Sequence, residues 1–126
     1  MINKNILFVT GTRADFGKLD PLSSILSKNN FNVSYFVTGM HMLKKYGHTK
    51  IEIRRNNLYN VHEFTNYREG DTQDVILSKT ISGLSDYLQD NIPDLIVVHG
   101  DRIEALAACL VSSINYIPCA HIEGGE

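Results

Sequence analysis

Apolar positions along this chain alternate between short unbroken blocks and helical stripes. Asn5 to Thr10 (Asn-Ile-Leu-Phe-Val-Thr) is a continuous apolar run of strand length, the pattern of a strand buried on both faces. Gly11 to Gly17 reads as a tight loop. From near Lys18 the period changes: Leu19, Leu22, Ile25 and Leu26 share one helical face, Pro21 sits in a first turn that needs no amide donors, and Asn29-Asn30 is the stop. Phe31 to Thr38 predicts a second strand, Met40 to Tyr46 a short helix ended by Gly47, and Leu58 to Phe64 a third strand. His48 to Asn57 has no readable period, and Thr65 to Gly70 is a polar loop. A long helix begins with Asp71 as N-cap and Asp74 in its first turn, carries Leu77, Ile81, Leu84 and Leu88 as its core stripe, and stops at Asn91 and Pro93. Leu95 to Val98 is a fourth strand, Ile103 to Ile114 a helix with Ile103, Leu106, Ala107, Leu110, Val111 and Ile114 on one face, and Tyr116 to Ala120 a fifth strand.

Strand followed by helix, four times over and closed by a strand, predicts an α/β fold: a parallel sheet with helices on both faces. A right-handed strand–helix–strand crossover places the fourth and fifth strands side by side, so their carboxyl ends open on one edge. That edge is where open α/β sheets bind ligands. No internal repeat, linker or low-complexity segment interrupts the pattern, and 126 residues make one domain.

Composition narrows the picture only modestly. An apolar fraction of 43% and a formal charge of -2 describe an ordinary globular chain. No basic excess points to nucleic acid. The longest apolar runs are strand length, far short of a membrane span, and the first residues lead straight into a strand, so no signal peptide or membrane partner is expected and the compartment is read as cytoplasm. Cys109 and Cys119 form no Cys-x-x-Cys motif and are expected to be buried thiols, one in a helix and one in a strand, rather than a disulfide or a nucleophile. A chain stopping at Gly-Gly-Glu just after a strand is expected to be an incomplete domain.

Three clusters could do chemistry. Gly11-Thr-Arg-Ala-Asp-Phe-Gly17 sits at a strand–helix junction, where backbone amides attract phosphate and Arg13 adds a planar fork; a tight turn with a solvated arginine is the plainer reading. It matches neither the dinucleotide fingerprint nor a P-loop, since Lys18 is followed by Leu19. His99-Gly-Asp-Arg102 ends an apolar strand. Asp101 is either a positioned carboxylate or the N-cap of the next helix, and Arg102 a phosphate contact or a surface charge. His121-Ile-Glu-Gly-Gly-Glu126 puts Glu123 one strand away from Asp101. Two carboxylates in one cleft suit general acid–base work. Two histidines and two carboxylates could also hold a metal, but no ligand spacing within one element supports that, and neither metal nor cofactor is expected. His41, His48 and His62 stand alone and read as structural or surface histidines.

Gly11-Thr-Arg-Ala-Asp-Phe-Gly-Lys-Leu19, Tyr46-Gly-His-Thr49, Val98-His-Gly-Asp-Arg102 and His121-Ile-Glu-Gly-Gly-Glu126, taken together and in this order, resemble the UDP-N-acetylglucosamine 2-epimerase family. The resemblance is closest to its hydrolysing branch, which makes N-acetylmannosamine for sialic acid synthesis; non-hydrolysing bacterial relatives carry an arginine shortly after the glutamate where this chain has Gly-Gly-Glu. The resemblance implies a Rossmann-like domain, one half of a glycosyltransferase-B type enzyme whose C-terminal nucleotide-binding domain is absent from residues 1–126. It implies elimination of UDP from UDP-N-acetylglucosamine followed by hydration. Arg13, Gly17, Arg102 and Glu126 would contact substrate, and Asp101, Glu123, His99 and His121 would serve catalysis, with the base for the C2 proton left open between the two acids. It further implies a homo-oligomer at full length. The 126-residue piece is expected to be inactive alone and to expose an apolar face that favours self-association. A nucleotide-binding module without catalysis, or a sugar transferase of the same fold, are the other readings.

Overall fold

The computed structural model describes residues 4–43, 53 and 59–123. Among the described residues five strands run β1 (Asn5–Thr10), β2 (Asn32–Val37), β3 (Asn60–Glu63), β4 (Leu95–His99) and β5 (Cys119–Ile122); three helices are seen between them, α1 (Arg13–Lys28), α2 (Gln73–Asp90) and α3 (Ile103–Ile114), with a 3-10 turn at Gly39–Met42. All strand pairs are parallel and the order is β3-β2-β1-β4-β5. The α/β architecture read from the pattern is therefore the one observed.

Alternation along the strands divides the core in two. Leu7, Val9, Phe36, Ile96 and Val98 face Leu84 and Leu88 of α2 and Ala105, Ala108 and Val111 of α3. Ile6, Phe8, Val33, Tyr35, Val37 and Val97 face Phe16 and Leu19 of α1, together with Ile53. Both faces are thus covered, as a parallel sheet requires.

Several boundaries move, for local reasons. Helix α1 starts at Arg13, not near Lys18, because Thr12 and Asp15 form a reciprocal cap: Thr12 Oγ1 accepts from the Asp15 amide and Asp15 Oδ2 from the Thr12 amide, each at 3.1 Å. Most of the expected loop is therefore helix, and Pro21 lies in the helix interior, where it forfeits one backbone bond. At α2 the N-cap position is Thr72; Asp71 instead accepts from the Arg68 amide at 3.0 Å and from Lys79 Nζ at 2.5 Å. Tyr116 has φ 58, which no strand residue adopts, so β5 begins at Cys119 rather than Tyr116. The expected apolar face of α3 is only partly the buried one. Ala107 and Val111 of that face are buried, as are Ala105 and Ala108, while Leu106, Leu110 and Ile114 are exposed, Ile114 to 73%. Tyr46-Gly-His-Thr49, the end of the helix expected at Met40 to Tyr46, and Glu126 lie outside the described residues.

His41 is buried and His62 lies exposed on the surface. The His62 ring stacks on Phe36 and tilts against Tyr87. His41 is fully buried, with Nε2 2.9 Å from Thr10 Oγ1. Burial lowers its pKa to about 4, against the opposing pull of the Asp15 charge and a hydrogen bond to the Thr12 backbone. The unfolded chain protonates this ring near 6.5. Because the folded value is the lower one, the unfolded state gains the extra proton as pH falls. The stability contributed by neutral His41 is complete above about pH 6.5 and declines between there and about pH 4, by up to about 3 kcal/mol. Urea unfolding across that window should show the decline, and a His41→Asn variant should lose that share of the acid slope. An unchanged slope in the variant would exclude His41 as its source.

Candidate active site

The site lies at the carboxyl ends of β1, β4 and β5, where three chain segments converge. β1 leads through Gly11 and Thr12 into the first turn of α1 with Asp15, β4 delivers His99, and β5 delivers Glu123. The register that sets His99 beside Ile122 puts Glu123 at the level of the His99 imidazole. Asp15 is buried, with 6% of its surface exposed. Its Oδ2 accepts from the Gly11 and Thr12 amides at 3.1 Å each, leaving Oδ1 for His99 Nδ1 at 3.0 Å. On the other side of the ring, His99 Nε2 lies 2.8 Å from Glu123 Oε2. Glu123 Oε1 is 3.5 Å from Lys18 Nζ.

Both partners of His99 are carboxylates, which only accept when ionised, so the two contacts favour a proton on each ring nitrogen, the imidazolium form. Partial burial opposes that charge, but the hydrogen bonds to Asp15 and Glu123 outweigh it and hold the His99 pKa above its ordinary value. Glu123 responds in kind: the bond from His99 and the Lys18 charge hold its carboxyl below the usual range. Glu123 itself has φ 58, so β5 ends there and its half-exposed side chain faces the rim.

The other expected residues divide. His121 Nε2 bonds the Gly100 carbonyl, tying β5 to the turn after β4. Asp101 is exposed in that turn; the N-cap position of α3 is Arg102, so the alternative of Asp101 as helix cap falls away. Arg102 points its Nε at Glu104 Oε2, 3.4 Å away. Arg13 is exposed at the first residue of α1. Gly17 is exposed with open space where a Cβ would stand, so nothing inside the described chain requires glycine there.

Two residues escaped the sequence reading. Asp15 was hidden inside a presumed loop, although Thr12-x-x-Asp15 carries the capping-box spacing. Glu104 is 4% exposed and fills the space beside Gly11 and Gly39; a Cβ on Gly11 would stand 2.6 Å from its Cδ. It borders a cavity of about 160 Å³ with Met40, Leu43, Tyr67 and Ile76. Asp15 and Glu123 meet opposite nitrogens of His99 rather than one point in space. Among the described residues no group of three or more His, Cys, Asp or Glu side chains is placed to hold a metal ion. Nor, among them, is any helix long and apolar enough to cross a membrane.

A parallel sheet covered on both faces, with charged and imidazole groups gathered where its central strands end, defines a Rossmann-like α/β domain with its site on the carboxyl edge. The sequence profile of UDP-N-acetylglucosamine 2-epimerase matches residues 24–126. The chain belongs to the UDP-N-acetylglucosamine 2-epimerase family. It is 42% identical over 124 residues to a UDP-N-acetylglucosamine 2-epimerase of Neisseria meningitidis serogroup B, an alignment taking in 98% of this chain and 33% of the relative. It is 33% identical to the hydrolysing UDP-N,N'-diacetylbacillosamine 2-epimerase of Legionella pneumophila, over all of this chain and 34% of the relative. Among solved structures, UDP-GlcNAc 2-epimerase from Neisseria meningitidis bound to UDP-GlcNAc superposes with a TM-score of 0.81 at 28% identity, covering 96% of this chain and 32% of that one. The chain therefore spans about a third of the length of the relatives it matches.

Proposed function

We propose that this chain is the N-terminal, sheet-edge part of a hydrolysing UDP-N-acetylglucosamine 2-epimerase, which converts UDP-N-acetylglucosamine and water into N-acetylmannosamine and UDP. The observation that carries this reading is the bonded row Asp15–His99–Glu123 on the edge that also presents Asp101. The reaction removes the C2 proton to a carboxylate while the C1–O bond breaks and its electron pair leaves with UDP. Water then delivers its oxygen to C1 of the glycal, and a proton returns to C2 on the opposite face. Two acids in one cleft meet both proton demands. Glu123 is kept ionised by His99 and Lys18, the state in which a carboxylate can accept a proton. Asp101 supplies the second acid, His99 and His121 orient the edge, and Arg13, Gly17, Arg102 and Glu126 meet the leaving diphosphate and sugar.

The missing two-thirds of the relatives' length supply, on this reading, a second Rossmann-like domain in the glycosyltransferase-B arrangement and most of the nucleotide contacts. The complete enzyme works in the cytoplasm as a homo-oligomer, without metal or cofactor, and the 126-residue chain alone releases no UDP.

The test is to assay the complete protein with UDP-N-acetylglucosamine and, in parallel, with UDP-N,N'-diacetylbacillosamine. Free N-acetylmannosamine and UDP from the first substrate are expected. UDP-N-acetylmannosamine as product would place the protein in the non-hydrolysing branch. Turnover of the second substrate alone would change the sugar, and UDP binding without turnover would make this a binding module. UDP release by the 126-residue chain would overturn its expected inactivity.

A further inference from the structure

Helix α3 and strand β5 carry the two cysteines of the sequence, and the fold brings them together. Cys109 Sγ and Cys119 Sγ are 3.9 Å apart, both free and both half-buried. They sit at the margin of the apolar cluster under α3, beside Ile117. A disulfide needs its sulfurs at about 2.05 Å, so closure asks for a contraction of roughly 2 Å, within reach of side-chain rotation with a small backbone shift. We propose that Cys109 and Cys119 form a reversible disulfide that ties α3 to the edge strand β5, closed by exchange with a low-molecular-weight disulfide.

The placement gives the bond something to hold. β5 is four residues long and, among the described residues, outermost in the sheet and paired only with β4. The connection before it turns through Tyr116 at φ 58. Cys119 is the first residue of β5, two before His121 and four before Glu123. The disulfide would therefore add a covalent anchor to the strand that carries one side of the site. Nothing in this inference depends on which sugar nucleotide the site takes.

The order of steps follows from the surroundings. Burial, reinforced by the neighbouring Cys119, pushes the Cys109 thiol up to about 11. Cys119, on the short edge strand, opens the exchange. The Cys119 thiol gives its proton to solvent and its sulfur attacks one sulfur of the external disulfide. The external S–S bond breaks, one thiolate leaves and is protonated, and a mixed disulfide remains on Cys119. Cys109 then loses its proton, its sulfur attacks Cys119 Sγ, and the second external thiol departs. Two protein thiols and one external disulfide become one protein disulfide and two external thiols.

Treating the folded 126-residue chain with excess oxidised glutathione tests this directly. The intact monomer should lose about 2 Da and both titratable thiols, with circular dichroism unchanged and both thiols restored by dithiothreitol. A Cys109→Ser variant should stop at a mixed disulfide on Cys119, and a Cys119→Ser variant should keep its thiol far longer. Amide exchange at Ala120 to Ile122 should slow in the oxidised chain. Two persisting thiols, stable glutathione adducts on both cysteines, or disulfide-linked dimers as the sole product would each overturn the proposal.

Discussion

Asp101→Asn in the full-length enzyme is expected to slow UDP release by about 10²–10⁴-fold, the span that positioned acid–base groups contribute, with the fold intact. The site makes this substitution unusually clean. Asp101 is exposed, it does not cap α3, and among the described residues no hydrogen bond or ion pair holds its side chain. Exchanging its carboxylate for an amide of the same shape therefore removes a proton acceptor and little else. The corresponding change at Glu123 would be harder to read, because Glu123→Gln also strips His99 of an acceptor and Lys18 of an ion-pair partner. Steady-state kinetics with unfolding curves for both proteins would separate the effects. Full activity in Asp101→Asn would remove Asp101 from the chemistry and leave Glu123 as the sole acid.

The second large effect is structural, and it lies just behind the site. Gly39→Ala should destabilise the fold by about 2–5 kcal/mol, combining a left-handed backbone for an L-residue with overpacking. Gly39 has φ 63. A Cβ there would overlap Glu104 Oε1 and stand 2.8 Å from the Gly11 carbonyl oxygen. Glu104 has little freedom to retreat, being buried and turned toward Arg102. Adding Glu104→Ala should recover part of the loss, the overlap with the carboxylate, and leave the backbone strain and the Gly11 contact. Urea unfolding of the three proteins measures this, and a Gly39→Ala chain within about 0.5 kcal/mol of the parent would contradict it.

Much of the fold was legible because its strands are unbroken apolar runs. Asn5 to Thr10 and Leu95 to Val98 had few alternatives, and parallel pairing followed from the helices between them. The errors came where a local interaction outweighed pattern. Gly11 and Gly17 framed what looked like a loop, whereas the Thr12–Asp15 cap starts a helix inside it and places Asp15 on His99. In α3 the leucines marked an apparent core face, yet the alanines are what fit against the sheet. The candidate site was half legible. His99, Asp101, His121 and Glu123 stood out as polar groups at strand ends. Asp15 and Glu104 did not, because their partners lie far off in sequence: Asp15 reaches His99, 84 residues away, and Glu104 fills the hollow that Gly11 and Gly39 leave.

His99 bridges Asp15 and Glu123 at one edge of the sheet, and nitrogen NMR of the His99 ring across a pH titration tests that most directly. The midpoint of its protonation should lie above that of an unperturbed histidine and fall in Asp15→Asn and again in Glu123→Gln. A midpoint at or below the unperturbed value, or one indifferent to both substitutions, would show that the three side chains do not share a site.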